Sequence, residues 1–184
     1  MSTLQKIVAG CVGVAALLFA QAGQAADGYF DSASVEVGHN PDQKMLRVAV
    51  QKDWERRWFA SNGRHLSGYW ETNVALWRLD AYENIQGNRK NIAVIGFTPV
   101  LRYQNDSKLG LYGEVGIGVN LLSTLYKNRD KELSTAFQFG DHIGVGYTTP
   151  KWDYSLKFQH YSNASIKSPN GGANWLVVKA AYRF

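Results

Sequence analysis

Hydrophobic and polar residues alternate along most of the chain from about residue 32 onwards. Between Leu109 and Leu121 the odd positions are apolar apart from one glycine, and the even positions hold glycine, tyrosine or hydrophilic residues. The segment Phe137–Tyr147 alternates in the same way. A period of two residues is typical of β-strands with one apolar and one polar face. Similar segments at about 32–39, 44–54, 66–78, 91–103, 152–163 and 174–184 bring the predicted strands to eight.

The polar face of these segments carries full charges in mid-strand, and this decides between two architectures. A soluble barrel, such as a periplasmic lipocalin-like one, turns its apolar face inward, whereas a membrane barrel turns it towards lipid. Charges can pair across a narrow lumen, and frequent glycines on the same face suit a small eight-stranded interior. The charged positions are Glu36, Arg47, Glu71, Arg102, Glu114, Lys157 and Lys179. The sequence therefore predicts an all-β fold, an eight-stranded antiparallel transmembrane β-barrel with both termini periplasmic.

Two features of the predicted strands refine this architecture. The final strand ends on Phe184 with apolar residues at alternate positions before it, which resembles the sorting signal of bacterial outer-membrane barrels. Strand parity makes the connections 40–43, 79–90, 122–135 and 164–173 external, and it makes Asn105–Lys108 and Thr149–Lys151 short periplasmic turns. The connection Glu55–His65 is predicted to be a longer periplasmic turn. An interfacial aromatic girdle is expected from Trp54, Trp58, Phe59, Tyr69 and Trp70.

The first 25 residues are interpreted as a secretory signal peptide. Lys6 precedes a continuous apolar run, Ile7–Ala20, which is followed by small and polar residues. The mature protein is then a single outer-membrane β-barrel domain of residues 26–184. The only cysteine, Cys11, leaves with the signal peptide, so the mature chain has no thiol nucleophile, disulfide or thiolate metal site.

Charge and histidine content exclude several classes of function. Removal of residues 1–25 takes away one lysine, which lowers the formal net charge from +5 to +4. This modest excess suits an anionic surface such as phosphorylated lipid and is too dispersed to indicate nucleic-acid binding. No metal site or cofactor is implied, because the histidines show no ligand spacing; they are His39, His65, His142 and His160.

The seventh predicted strand, residues 152–163, carries the strongest chemical signal. Its even positions are apolar up to His160 and Ser162 near the external end, so both side chains are expected on the lipid-facing side. Residues i and i+2 of a strand share a face about 6–7 Å apart, and a histidine that takes the proton of a serine makes it a nucleophile. The alternative is that both residues simply lie at the level of the polar headgroups.

Asp141 is a candidate for the acid that would orient the histidine. It has the lipid-facing parity of the sixth predicted strand, where a carboxylate is costly and therefore suggests a role. Folding the hairpin about Thr149–Lys151 sets Asp141 beside His160. Asp141 is thus the acid, a supporting residue, or one member of an exposed ion pair.

The sequence HYSNA at residues 160–164 resembles the corresponding motif of the outer-membrane lipid A 3-O-deacylases (PagL-type). The resemblance continues through the pattern I-K-x-P-N-x-G at residues 166–172, and Phe139-x-Asp141 and residues 62–70 support it over essentially the whole mature chain. It implies that Ser162 attacks the 3-position acyl ester of lipid A, that His160 is the base, and that Asn163 helps to form the oxyanion hole. The implied partners are lipid A or lipopolysaccharide in the outer membrane. A homodimer is left open.

The chain departs from this family at the third member of the triad. The family has a glutamate 13 or 14 residues after the histidine, and these positions are Ala173 and Asn174 here. No Asp or Glu occurs from Asn163 to Phe184. Asn174 has lipid-facing parity and can accept a hydrogen bond from His160, although it cannot stabilise an imidazolium as a carboxylate does.

The expected function is therefore lipid A 3-O-deacylation by a serine esterase that lacks the family glutamate. Two alternatives remain: a catalytically impaired family member, and a non-enzymatic small barrel for adhesion or structure. Basic residues near the external rim, Lys127, Arg129 and Lys167, are candidates to contact lipid A phosphates.

Overall fold

The computed structural model describes residues 28–184, so the predicted signal peptide, residues 1–25 with Cys11, lies outside the described residues. The strands in chain order are β1 (Ser32–Asn40), β2 (Gln43–Asp53), β3 (Trp58–Ser61), β4 (Arg64–Leu79), β5 (Lys90–Asn105), β6 (Gly110–Leu122), β7 (Tyr126–Asn128), β8 (Lys131–Leu133), β9 (Phe137–Thr148), β10 (Trp152–Ser162) and β11 (Ala173–Arg183). Within the described part of the chain, no helix is long and apolar enough to cross a membrane.

Eight of these strands close into an antiparallel barrel in the order β1, β2, β4, β5, β6, β9, β10 and β11, and β11 pairs back onto β1. The eight strands lie at the predicted positions, so the predicted fold class is confirmed. Closure pairs the main-chain polar groups of every strand with those of a neighbour. Such pairing is required wherever the surroundings cannot supply hydrogen bonds.

The barrel has polar side chains inside and apolar side chains outside. On β6, Glu114 is 2% exposed whereas Ile117 is 66% exposed, and the same contrast recurs along β10 between Lys157 and Phe158. An exterior of this kind is stable in contact with hydrocarbon and not with water. The inverted polarity therefore confirms a transmembrane barrel and excludes the lipocalin-like alternative.

Paired charges fill the middle of the lumen. The Glu36 carboxylate accepts hydrogen bonds from Arg47 Nε at 2.8 Å and from Lys157 Nζ at 2.9 Å, and its side chain is completely buried. Pairing of this kind offsets the large cost of removing the charges from water. The cluster ties β1, β2 and β10 together across the barrel.

A second charged cluster lies nearer one end of the barrel. This end carries the short turns Asn105–Lys108 and Thr149–Lys151 and is named here the turn end. Arg102 bridges Glu114 and Asp153 at 2.8 Å each, and Lys179 lies 3.2 Å from Asp153. The opposite end, named here the loop end, carries the connections after β1, β4, β6 and β10. The charges confirm the predicted polar interior on both halves of the barrel.

Aromatic side chains close the lumen towards the loop end. Trp77 packs against Tyr161 with ring centroids 4.7 Å apart, against Trp175 at 5.3 Å and against Tyr126 at 6.2 Å. Tyr126 belongs to the β7–β8 hairpin, which lies over this end, and burial raises the pKa of its hydroxyl to about 12. The hydroxyl therefore stays protonated at neutral pH. The four rings of Trp77, Tyr126, Tyr161 and Trp175 are named here the aromatic cap, and they give the neighbouring loops a rigid support.

One expectation about the turn end is confirmed and one was wrong. The connection Glu55–His65 is longer than the two short turns, and it contains β3, which pairs with β4 in a hairpin that reverses at Asn62–Gly63, both with positive φ. Tyr69 does not belong to an outer girdle, because it is 3% exposed and its hydroxyl donates to Glu114 inside the lumen at 3.0 Å.

We expect the Glu36→Gln substitution to lower the free energy of unfolding by about 3–5 kcal/mol, because it leaves Arg47 and Lys157 without a counter-charge in a closed lumen. Urea unfolding of the barrel in detergent micelles measures the change. The control is Glu132→Gln, which removes one half of an exposed pair with Lys127 at 3.6 Å and should change stability by less than about 1 kcal/mol. Equal effects of the two substitutions would contradict the assigned role of the Glu36 cluster.

Candidate active site

His160 lies between Asp141 and Asn174 on the outer surface of the barrel. The register of β10 pairs His160 with Asp141 of β9 on one side and with Asn174 of β11 on the other. Ile117 of β6 pairs with Asp141 and extends the same line across the sheet. These four residues are named here the His160 row. The structure thus brings together three residues that the sequence singled out.

Ser162 follows His160 on the same face of β10, near the loop end. Residues two apart on a strand have Cα atoms about 6–7 Å from each other. Both side chains are partly exposed, whereas the intervening Tyr161 is buried in the lumen. The apolar side chains of Phe158 and Leu156 continue this face towards the turn end. The hydroxyl and the imidazole therefore lie where the apolar exterior meets the loops.

Asn174 makes the direct polar contact with the imidazole. His160 Nδ1 lies 2.5 Å from Asn174 Oδ1. An amide oxygen only accepts hydrogen bonds, so this contact places the ring proton on Nδ1 and leaves Nε2 as the basic nitrogen. A neutral imidazole with a free Nε2 is the form that accepts a proton from a serine hydroxyl.

The start of β11, which carries Asn174, is held by residues at the end of β1 and the start of β2. Asn40 Nδ2 donates to the Asn174 carbonyl oxygen at 2.9 Å, and Gln43 Nε2 donates to the same oxygen at 3.4 Å. Sequence reasoning missed both residues. They meet Asn174 only because the last strand of the barrel closes against the first.

Asp141 lies beside His160 in the sheet. The hydrogen bond with the imidazole of His160 is instead made by Asn174 on β11, the strand on the other side of β10. The main-chain carbonyl of Asp141 accepts a hydrogen bond from Gln159 Nε2 at 3.0 Å, which fixes the local backbone. In this structure the position that orients the histidine is therefore that of Asn174.

Asn163 points into the barrel rather than towards the hydroxyl of Ser162. Its side chain is buried, and Nδ2 donates to the Lys167 carbonyl at 2.7 Å and contacts Ser134 Oγ at 3.3 Å. Its main-chain N–H donates to Asn170 Oδ1 at 3.0 Å. These contacts fasten the loop between β10 and β11 to the segment that follows β8.

Gly172 allows this loop to pass directly over the imidazole. A Cβ atom at this position would lie 2.7 Å from His160 Cε1, and the residue has a φ of +69°. Only glycine combines this close approach with a left-handed backbone conformation at no steric cost. Its presence in the motif was visible in the sequence, but its contact with the histidine was not.

An apolar groove on the outer surface begins beside Asp141. It has a volume of about 630 Å³ and is lined by Pro99, Leu101, Val115, Ile117, Ile143 and Phe158, with Trp54 and Trp58. It crosses from β10 to β5, which is three inter-strand spacings or about 14 Å. The Trp54 ring closes its far end by packing over Gly68, the partner of Leu101.

Comparison with known proteins identifies the family of the chain. A family model described as "Lipid A 3-O-deacylase (PagL)" matches residues 44–183. The chain is 39% identical to a lipid A deacylase PagL of Bordetella bronchiseptica over 149 residues, which cover 80% of this chain and 79% of that protein. The chain belongs to the lipid A 3-O-deacylase (PagL) family.

One further relative supports the PagL assignment, and one solved structure supports the fold. A lipid A deacylase PagL of Pseudomonas aeruginosa is 31% identical over 153 residues, 81% of each chain. A crystal structure of the outer membrane enzyme PagL superposes with a TM-score of 0.69 at 24% identity, covering 83% of this chain and 99% of that one. The superposition supports the barrel fold.

The register also decides which of the two residues aligned with the PagL-family glutamate can reach the histidine. Ala173 is completely buried and has the parity of the lumen, whereas Asn174 faces outward and contacts His160. Of the two residues, Asn174 is therefore the one that forms a hydrogen bond with His160. The side chain there is neutral.

We expect Gly172→Ala to lower the rate of lipid A deacylation at least tenfold without unfolding the barrel. The added Cβ would displace the His160 ring, and an alanine with positive φ costs about 1–2 kcal/mol. Mass spectrometry of lipid A measures the rate. The control is Gly171→Ala, where the nearest atoms lie at 3.3 Å and φ is not in the left-handed region. Equal loss in both variants would show that the loop, and not the approach to His160, is responsible.

Proposed function

We propose that the chain is a lipid A 3-O-deacylase of the bacterial outer membrane, a serine esterase that hydrolyses the 3-position acyl ester of lipid A in the outer leaflet. The observation that carries this proposal is the outward-facing pair of His160, hydrogen bonded to Asn174, and Ser162, set at the edge of the apolar exterior. A site on this surface meets a lipid substrate directly. The lipid A deacylases PagL of two bacteria are its relatives.

The orientation in the membrane follows from the substrate. Lipid A forms the outer leaflet, so the loop end with Ser162 faces the cell exterior and the turn end faces the periplasm. Both ends of the described chain lie at the turn end, where the Phe184 N–H donates to the Asp31 carbonyl. Export across the inner membrane would use the predicted signal peptide, residues 1–25.

The reaction proceeds in two steps on Ser162. His160 Nε2 takes the hydroxyl proton while Oγ attacks the ester carbonyl carbon, and the imidazolium then protonates the departing sugar oxygen. The acyl chain is left on Ser162. His160 next takes a proton from water, the resulting hydroxide attacks the acyl-enzyme, and the fatty acid leaves as Ser162 regains its proton.

Asn174 orients His160 in this mechanism, in place of a carboxylate. Its Oδ1 holds the proton on Nδ1, so that Nε2 is ready to act as base. A hydrogen bond to a charged acceptor is roughly twice as strong as one between neutral groups, so an asparagine stabilises the imidazolium less than a glutamate would. The proposed enzyme is therefore active but slower than a relative with a carboxylate at this position.

Asn163 remains the predicted donor to the oxyanion. Its amide hydrogens are bound to Lys167 and Ser134 and its side chain points away from Ser162 in this structure, so donation to the oxyanion requires these contacts to break and the side chain to turn outward when substrate binds. The exposed loop that follows Asn163, residues 164–169, is the part of the site that can adjust.

The groove gives the acyl chain an apolar path that starts beside His160, at its sheet neighbour Asp141 and at Phe158 of the same strand. Its lining is almost entirely hydrocarbon and aromatic side chains of the outer surface. A chain that lies in the groove is fixed relative to Ser162, which lowers the entropic cost of reaching the attack geometry. This continuity supports an acyl ester as the substrate.

The decisive experiment is expression of the chain in an outer membrane, followed by mass spectrometry of lipid A. We expect loss of one 3-position acyl chain with the natural sequence, and no loss with Ser162→Ala, which removes the nucleophile. The two proteins should reach the membrane in equal amounts and migrate alike as folded barrels. Unchanged lipid A with the natural sequence would refute the proposed activity and favour a non-enzymatic barrel.

Substitutions at Asn174 test the residue that orients His160. We expect the isosteric change Asn174→Asp to raise kcat about tenfold, because the carboxylate stabilises the imidazolium. Asn174→Leu should lower kcat about tenfold through loss of one hydrogen bond. Purified protein in detergent with lipid A provides the rates.

Asp141→Asn serves as the comparison for this series. If Asp141 supplied the charge, Asp141→Asn would abolish activity and Asn174→Asp would leave kcat unchanged. That outcome would reverse the assignment made here.

A further inference from the structure

A line of basic side chains continues around the barrel from the candidate active site. The register pairs His39 of β1 with Lys44 of β2, and Lys44 with Arg78 of β4. His39 also pairs with Leu176 of β11, two residues beyond Asn174. These three residues, His39, Lys44 and Arg78, are named here the basic row. All three side chains are exposed on the outer surface.

The basic row lies where the hydrocarbon of a membrane would end. The residues immediately below it towards the turn end are Val37, Leu46 and Leu76, which pair with one another and are 48–56% exposed. A band of exposed aliphatic side chains marks the acyl-chain region, and the first polar positions beyond it mark the headgroup level. Lys44 and Arg78 therefore face the level at which the phosphates of an outer-leaflet lipid lie.

The outward-facing cations at this level occur on one side of the barrel. The outward positions at the loop end of the next strands are Asn91 on β5, Leu121 on β6 and Phe139 on β9. A general attraction to an anionic membrane would not require such asymmetry. The cations lie instead on the strands that follow β11 around the barrel, next to Asn174.

The positive charge of the basic row is not neutralised within the described residues. Lys44 is absent from the ion pairs formed within residues 28–184. Arg78 approaches one carboxylate, that of Asp80, at 3.8 Å, and Arg89 shares the same carboxylate at 3.7 Å. The single carboxylate of Asp80 is set against three cations, Lys44, Arg78 and Arg89, and this leaves positive charge available for an anionic ligand.

The loop cations that sequence reasoning favoured are differently placed. Arg129 is bound to Asp42 at 2.6 Å, and Lys127 lies 3.6 Å from Glu132. Both pairs reduce the charge that these residues offer to a lipid. Lys167, the third of these loop cations, is exposed and forms no ion pair within residues 28–184, so the less compensated cations near the site are Lys167 and those of the basic row.

From this geometry we propose that Lys44 and Arg78 bind a phosphate of the headgroup of the same lipid molecule whose acyl ester lies at Ser162. Lys44 is three strand spacings from β10, about 14 Å across the strands, on a register row that reaches β10 at Phe158, two residues before His160. A phosphate held there fixes the glycolipid headgroup on one side of Ser162, while the groove beside Asp141 holds an acyl chain on the other. This inference rests on the proposed function.

Binding measured in a Ser162→Ala background separates this proposal from the catalytic one. The probes are lipid A with its phosphates and the same lipid A after enzymatic dephosphorylation, each in a neutral detergent. We expect Lys44→Gln and Arg78→Gln each to weaken binding of the phosphorylated probe about fivefold. Neither substitution should change binding of the dephosphorylated probe.

Lys52→Gln is the matched control. Lys52 lies on the same strand and the same face as Lys44 but at the turn end, where it pairs with Asp31 at 3.2 Å. The Lys52→Gln substitution removes the same positive charge as Lys44→Gln and should leave binding of both probes unchanged. Inorganic phosphate at an equal phosphate concentration should not displace the lipid, because it lacks the acyl chains.

The outcomes are distinct. Equal weakening by Lys52→Gln, or equal weakening for both probes, would overturn the phosphate site in favour of non-specific charge or a structural role. Displacement by inorganic phosphate alone would show an anion site that does not recognise the lipid. Unchanged lipid A with the natural sequence would refute the deacylase while this binding assay still reports on the basic row.

Discussion

The requirement that every main-chain polar group be paired inside a hydrocarbon environment governs the whole molecule. It forces the sheet to close, and closure of eight strands leaves a lumen so narrow that only paired charges, glycines and a few aromatic rings fit inside. Once the sheet is closed, each residue has a fixed neighbour on both sides. The position of His160 between Asp141 and Asn174 is a direct product of that register.

The two charged clusters and the aromatic cap make this closed sheet stiff. Glu36 links three strands across the lumen, and Trp77 packs against three aromatic rings beneath the loops. Stiffness in the strands is useful to a site whose parts come from β10 and β11, because small displacements would break the 2.5 Å contact between His160 and Asn174. The loop that follows Asn163 lies outside this stiff sheet and is exposed at residues 164–169.

Most of the barrel could be predicted from the sequence because the alternation that specifies each strand lies within that strand. Alternation of polarity located the eight strands, and the short turn Thr149–Lys151 was enough to place Asp141 beside His160. Tyr69 was misjudged because an aromatic residue near an interface suits either face of a strand, so composition alone did not place it. The strand β3 was not predicted because four residues are too few to show alternation.

The rest of the site depends on contacts that no local pattern encodes. Asn40 and Gln43 reach Asn174 only through the pairing of the first strand with the last, which are separated by most of the chain. The inward turn of Asn163 depends on Ser134 and on a loop conformation that follows the β7–β8 hairpin. Asn174 faces outward, as its parity in the sequence predicted, and the structure adds the contact of its Oδ1 with His160 Nδ1.

The seam between β1 and β11 has a consequence for the time at which such an enzyme becomes competent. Asn174, at the start of the last strand, is paired with His160 by the β10–β11 register, but its carbonyl is bound by Asn40 only when the two ends of the sheet meet. A chain that has only partly inserted holds His160 and Ser162 on a hairpin without that anchor. In the proposed mechanism, full support for the partner of the histidine therefore comes only with completed assembly of the barrel.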